Sequence, residues 1–256
     1  MNTFIAFFDV MRFKEFIYNN DPQETKRLFD HLLRDSQIAL AKENYVNGKS
    51  GGVYPDLSYQ TVNCLHVSDS IVFWTDTDGE NDFNELVDVC YRFYWLSLQA
   101  TFPLRGCLTY GEVNFTPTSI KNNNNRTFFN YSLFGKGRVE AYTKADSIEY
   151  AGCLLDQQAI AKISDALINK LIGDQKICLY KVPFKKGNSY EHVFRPIKGF
   201  HNDVSFRNSD LGIKRLFTFH TKQDIEKLPE SVNQKLNNTI DFLNYFRMAN
   251  SNEKTS

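Results

Sequence analysis

The chain has 256 residues, enough for one large domain or two small ones, and its 30 basic and 30 acidic side chains leave a formal net charge of zero. That balance argues against nucleic acid or an anionic membrane surface as a partner. A hydrophobic share of 42%, with 22 Phe and 13 Tyr, supports a substantial core and excludes a disordered chain.

The charge is unevenly spread: residues 1–120 hold 9 Lys and Arg against 16 Asp and Glu, whereas residues 121–222 hold 17 against 9. An acidic half beside a basic half suits an anionic, metal-bound substrate, although drift of surface charge gives the same numbers. Cys64, Cys90, Cys107, Cys153 and Cys178 are widely spaced with no CxxC pair, so they read as small buried hydrophobes in a reducing compartment. Met1-Asn2-Thr3 leads straight into an apolar strand with no basic, cleavable leader, and no apolar stretch approaches the ~20 residues that span a bilayer. A cytoplasmic protein without a membrane partner is expected.

In chain order, residues 3–9 read as a strand whose apolar run Phe4-Ile5-Ala6-Phe7-Phe8 fits burial on both faces and ends in Asp9. A short helix follows over 11–17. Asn20-Asp21-Pro22 is a helix start, with Pro in the first turn, and Leu28, Leu32, Ala39 and Leu40 carry the helix to about residue 43. Asn47 to Gly52 is a flexible loop. From Leu57 to Trp74 the pattern is β, with Ser68-Asp69-Ser70 as a tight turn between two antiparallel strands. An amphipathic helix runs from Asp82 to about Phe102, where Pro103 ends it, and Leu104 to Phe115 is another strand. Asn122 to Asn125 is a polar loop or hairpin tip. Gly135 opens a helix through Val139 and Tyr142. A strand at 151–155, a helix at 157–172, a strand at 177–183 and an amphipathic helix at 232–245 complete the pattern. It implies an α+β fold whose first half runs in the order β-α-α-β-turn-β-α-β. A main domain is expected over 1–183, with a C-terminal α/β extension over 184–256 packed on the same domain.

Asp9 and Asp69 are the residues that ask for an explanation. A carboxylate at the end of an apolar strand is desolvated unless a cation offsets it. If the first strand lies beside the one after the 68–70 turn, the two acids meet at one end of the sheet and form an oxygen-lined site for one or two Mg²⁺ or Mn²⁺ ions. The alternative is that Asp9 caps the next helix and Asp69 only makes a turn.

Three motifs in this order resemble those of the class III nucleotide cyclases: Phe8-Asp9-Val10-Met11-Arg12-Phe13, Ser68-Asp69-Ser70, and Arg105-Gly106 through Gly111-Glu112-Val113, with spacing that agrees over residues 3–156. The departures are specific. Arg12 and Lys14 stand where the family usually has Gly and a small hydroxyl residue. Leu65 stands where purine cyclases carry a base-reading Lys. The family's transition-state Asn and Arg fall on Glu140 and Lys144 in one register, or on Val139 and Thr143 in the next. With Val139-Glu140-Ala141-Tyr142 and the helix around 238–246, the chain resembles the pyrimidine nucleotide cyclases of the Pycsar anti-phage system.

That resemblance implies a class III cyclase-like fold with a ferredoxin-like βαββαβ core, and conversion of UTP or CTP to a 3′,5′-cyclic monophosphate that activates a separate effector protein. It also implies a homodimer with sites at its interface and a two-metal Mn²⁺ or Mg²⁺ site on Asp9, Asp69 and the Val10 main-chain oxygen. The amides of residues 10–13, among them Met11, Arg12 and Phe13, would cradle phosphates. Arg12, Arg105 or Lys144 would bind phosphate, Lys144 being the catalytic choice. Tyr59 is the preferred base reader; Tyr59, Thr61 and Asn63 would share one face of a strand, and an Asn amide can read a pyrimidine edge. Each of these also has a structural explanation: Tyr59 as a core aromatic, the cations as structural or surface groups, and His66 as a satisfied strand histidine. The remaining alternatives are an adenylate cyclase with an atypical site and an inactive nucleotide-binding domain. No Gly-Gly-Asp/Glu-Glu-Phe run points to a diguanylate cyclase, and Gly135-Lys136-Gly137-Arg138 is too short for a P-loop.

Overall fold

A computed structural model describes residues 1–49, 51–100, 102–196 and 210–252. Its centre is β1 (Asn2–Val10), in which Phe4 to Phe8 are essentially inaccessible. β1 runs antiparallel to β5 (Ser70–Trp74) on one side and to β6 (Leu104–Glu112) on the other, and β4 (Asn63–Val67) pairs antiparallel with β5. Among these four strands the spatial order is β6-β1-β5-β4, the ferredoxin-like arrangement expected from the sequence. Beyond β6 the sheet continues through β9 (Cys153–Leu155), which is parallel to β6, and then β11 (Gly187–Phe194) and β10 (Ile177–Phe184), giving seven strands.

The doubly buried apolar run of β1 has a helix on each face. Phe4 and Phe8 meet Phe83 and Phe93 of α3 (Glu80–Ala100) with ring centroids at 5.0 and 5.2 Å. Phe7, which points the other way by strand alternation, meets Tyr142 of α4 (Lys136–Ser147) at 5.4 Å. α4 lies against β6 because both have glycine at the crossing: a Cβ added at Gly111 would come within 2.7 Å of the Gly137 Cα. α1 (Phe13–Asn19) follows β1, and α2 (Pro22–Leu40) packs on α3, started by the Asp21 carboxylate accepting from the Gln23 and Glu24 amides.

The structure corrects several sequence expectations. Residues 45–55 form a small ribbon, β2 (Tyr45–Asn47) with β3 (Val53–Pro55), where only a loop was expected. Residues 57–59 make a 3₁₀ turn, because the Asp56 carboxylate accepts from the Ser58 amide and hydroxyl and bends the chain before β4 begins. The expected strand over 104–115 divides: β6 stops at Glu112, opposite Asn2 where its partner β1 begins, and the chain continues as β7 (Asn114–Lys121). β7 pairs with β8 (Thr127–Phe134) in a separate ribbon whose tip holds the asparagine run. The helix expected over 157–172 is two, α5 (Gln157–Ile160) and α6 (Asp165–Gly173), because Ser164 caps a second start. A division at residue 183 falls inside β10, one residue short of its end, while β11 pairs with both β10 and β9. The chain ends in α7 (Asp210–Thr218) and α8 (Glu230–Asn252), which contact one another. Among the described residues no helix is long and apolar enough to cross a membrane.

Candidate functional site

Antiparallel pairing of β1 with β5 places Asp9 opposite Ser70, so the first residue before β5, Asp69, lies at the same sheet end. The two-residue loop Ser68-Asp69 joins β4 to β5, with Ser68 at φ 56, the left-handed conformation that tight hairpins use. The Val10 amide then donates to the Asp69 carbonyl at 3.0 Å, tying the loop to β1. Both carboxylates line one pocket of about 270 Å³, whose walls include Val10, Met11, Arg12, Phe13, Lys14, Glu15 and Arg105. The convergence expected from the sequence is therefore present.

Asp9 and Arg105 are register partners on β1 and β6. Arg105 donates through Nε at 2.9 Å to Asp9 Oδ2, and its Nη2 lies 2.8 Å from the same oxygen. The guanidinium also reaches α4, with Nη1 donating to the Asp146 carbonyl at 3.0 Å and Nη2 2.8 Å from Asp146 Oδ1. Burial nevertheless pushes the Asp9 carboxyl above the usual carboxylate range, against the pull of Arg105 and with a further push from Asp69. At Asp146 the balance is opposite: hydrogen bonding from Lys185, aided by Arg105, holds the carboxyl below its ordinary value.

Asp9, Asp69 and the Val10 carbonyl are hard oxygen donors, the set that Mg²⁺ and Mn²⁺ take with one or two carboxylates and the remaining positions left to water or phosphate. A desolvated carboxylate beside a second one is a fitting place for such an ion. No cluster of three or more His, Cys, Asp or Glu suited to a metal occurs among the described residues; Asp9 and Asp69 are the two carboxylates that strand pairing brings to this end of the sheet.

The turn after β1 departs from the expected phosphate cradle. Two of its amides are already committed, Val10 to Asp69 and Met11 to the Pro103 carbonyl at 2.9 Å. Arg12 adopts φ 66, and its guanidinium turns to the end of α7, donating to the Phe217 carbonyl at 2.7 Å, to Thr221 Oγ1 at 3.4 Å and to Gln223 Oε1. Burial lowers its pKa from the ordinary arginine value. Asn19 and Asn20 donate to the Thr221 and His220 carbonyls, both at 2.6 Å, completing a latch between α1 and the C-terminal segment. Phe13 faces Phe16 and Phe29.

Lys144 lies apart from Asp9 and Asp69 within the chain. It is not among the pocket-lining residues; its Nζ lies 2.7 Å from Asp156 Oδ1 and 3.7 Å from Glu191 Oε1. Tyr59 stands exposed in the 3₁₀ turn rather than on a strand, so it cannot share a strand face with Thr61 and Asn63. Asn63 pairs with Trp74 at the end of the β4–β5 hairpin opposite Asp69, and donates to Asp76 Oδ1 at 2.7 Å. His66 lies on β4 beside Phe29, but it is not the satisfied strand histidine expected: its Nε2 is buried without a hydrogen-bond partner, and burial lowers its pKa to about 4.

The sequence reading missed the far wall of the pocket: Phe217 from α7 and Val232 and Lys235 from α8. Val232 and Lys235 are three residues apart and share a helix face, but no sequence signal links that face to β1.

No protein-family model matches the chain, and no curated protein matches it. Solved structures are similar in outline. The adenylyl cyclase CyaB from P. aeruginosa is 12% identical over 75% of this chain and 92% of its own, with a TM-score of 0.46. The guanylate cyclase domain of RhGC from Catenaria anguillulae, in complex with GTP, is 11% identical over 75% and 95%, at 0.47. The catalytic core of a rhodopsin-guanylyl cyclase with converted specificity, in complex with ATPalphaS, is 10% identical over 75% and 94%, at 0.49.

Proposed function

We propose that the chain is a nucleotide cyclase that converts a pyrimidine nucleoside triphosphate, UTP in preference to CTP, to its 3′,5′-cyclic monophosphate and diphosphate. The observation that carries this reading is the meeting of Asp9 and Asp69, from two different strands, in one pocket with Arg105 beside them. The order of the three sequence motifs supports it, and Leu65 in place of a base-reading lysine favours a pyrimidine over a purine.

In the reaction, the ribose 3′-oxygen bonds to the α-phosphorus as the bond to the β-phosphate oxygen breaks, the hydroxyl proton leaves to solvent, and diphosphate departs. Divalent cations, when bound, lower the hydroxyl pKa and offset charge on the phosphates. Asp9 and Asp69 would hold them with the Val10 carbonyl. Arg105 has Asp146 as a second partner and would remain anchored with Asp9 engaged by a cation. In this reading Tyr59 and Asn63 meet the base across a homodimer interface, and the product acts on a separate effector in anti-phage defence in the cytoplasm.

The deciding experiment incubates the protein with each of the four NTPs and Mn²⁺ and separates products by chromatography. Cyclic UMP as the main product is expected; exclusive cyclic AMP would assign a purine cyclase with an atypical site. One observation favours a second reading, a nucleotide-binding domain without turnover: Lys144 faces Asp156 instead of the pocket. Binding of UTP with no cyclic product from any NTP would establish it.

A further inference from the structure

We propose that Lys235 of α8 binds the polyphosphate end of the nucleotide, which makes the C-terminal helices part of the site. This rests on reading the pocket as one for a nucleoside triphosphate. Lys235 lines the same pocket as Asp9 and Asp69, although it lies more than 160 residues beyond them in the sequence.

The pocket's cations are not equivalent. The Arg12 guanidinium is spent on three oxygens at and beyond the end of α7, and that of Arg105 on Asp9 and Asp146. Lys14 lies over the Tyr18 ring at 6.0 Å. Among the described residues Lys235 has one ion-pair neighbour, Glu149 Oε1 at 3.5 Å, too long for a strong hydrogen bond, so its three donors are poorly used there. Its side chain is about one-quarter exposed (23%), open enough to be reached and covered enough for its charge to count.

Its position is fixed by α8 itself. Asn238 donates to the Glu149 carbonyl at 2.7 Å, Thr239 Oγ1 accepts from the Ala151 amide at 2.9 Å, and Phe242 packs on Tyr150 and Tyr180 at 4.9 and 4.7 Å. A triphosphate entering between the acid pair and this wall brings more negative charge than two divalent cations, already partly neutralised by two carboxylates, can balance, and a lysine ammonium is a point charge suited to phosphate oxygens.

The test uses the full chain and isothermal titration with inorganic tripolyphosphate plus Mn²⁺, and then with UTP, for the native protein and the Lys235→Met, Lys235→Arg and Glu149→Gln variants. Lys235→Met keeps the aliphatic stem, and a thermal melt confirms that it is folded. Loss of one charged hydrogen bond weakens binding by about tenfold or more. That loss is expected for tripolyphosphate and UTP in Lys235→Met, as a raised KM with little change in kcat, with UMP binding unaltered and Lys235→Arg recovering most of the affinity. Unchanged tripolyphosphate affinity in folded Lys235→Met would overturn the assignment. So would Glu149→Gln matching its loss, because the ion pair and not the phosphate contact would then be responsible. Turnover of UTP by both native protein and Lys235→Met with one KM defeats the lysine assignment alone, whereas failure of the native protein to bind any triphosphate defeats the cyclase reading with it.

Discussion

Asp9–Arg105 and Asp156–Lys144 are both carboxylate–cation pairs on the α4 side of the sheet, with separations of 2.8 and 2.7 Å, yet their surroundings set them apart. At Asp156 both oxygens are taken, Oδ1 by Lys144 and Oδ2 by the Thr109 hydroxyl at 3.0 Å. Burial there opposes the lysine charge, but the Asp156 partner and nearby Glu191 hold the Lys144 pKa above its ordinary value, so pairing wins. At Asp9 burial wins: the carboxyl is raised despite Arg105, both of the guanidine contacts fall on Oδ2, and a second carboxylate stands across the pocket. The ion-pair distances alone do not separate the two carboxylates; the burial of Asp9 and the cavity it lines do.

The comparison breaks most visibly on substitution of the acids. Asp69→Ala or Asp9→Ala should lower cyclic-nucleotide formation by about a thousandfold or more, as loss of charge stabilisation at a reacting phosphate does, with a folded circular dichroism spectrum. Asp156→Asn should leave turnover within about threefold while lowering stability by about 2 kcal/mol. That is less than for a fully buried pair because Lys144 is partly exposed, and it amounts to about 4–8 °C in thermal midpoint for a chain of this size. If Asp156→Asn abolishes activity while the protein stays folded, the two pairs are not different in kind.

A smaller effect sharpens the electrostatics. Removing the cation in Arg105→Ala should raise the Asp9 pKa further, and because metal-supported turnover needs ionised Asp9, the acid limb of kcat/KM should move to higher pH. The linked stability has a definite sign. A carboxyl whose folded pKa lies above its unfolded one contributes stability below the unfolded pKa and loses it as pH rises through the folded pKa. An unmoved acid limb in Arg105→Ala would show that Asp9 does not govern the profile.

What could be read from the sequence was local or followed from strand pairing. The apolar run ending in Asp9, the Asp21-Pro22 helix start, the turn at Asp69 and the helix after Gly135 each rest on a few adjacent residues, and antiparallel pairing alone then brings Asp9, Asp69 and Arg105 together. Where a side chain redirected the chain, the pattern misled: Asp56 folds Tyr59 into a turn that its aromatic, β-prone neighbours do not announce. Where a partner is remote, nothing local speaks. Arg12 looked like a phosphate ligand, and only the position of Phe217, Thr221 and Gln223 shows where it points; the pocket wall from Val232 and Lys235 was equally hidden. The same limit applies to Lys144, whose helix position was legible but whose partner Asp156 was not.

The account stands on Asp9 and Asp69 acting as a pair that holds a divalent cation. Titrating Mn²⁺ into the protein without nucleotide, with the free ion followed by its electron paramagnetic resonance signal, tests this directly in the native chain, Asp69→Ala and Asp156→Asn. Depletion of free Mn²⁺ by the native chain and by Asp156→Asn, and its loss in Asp69→Ala, is the expected result. Mn²⁺ binding by folded Asp69→Ala at the native level would contradict it.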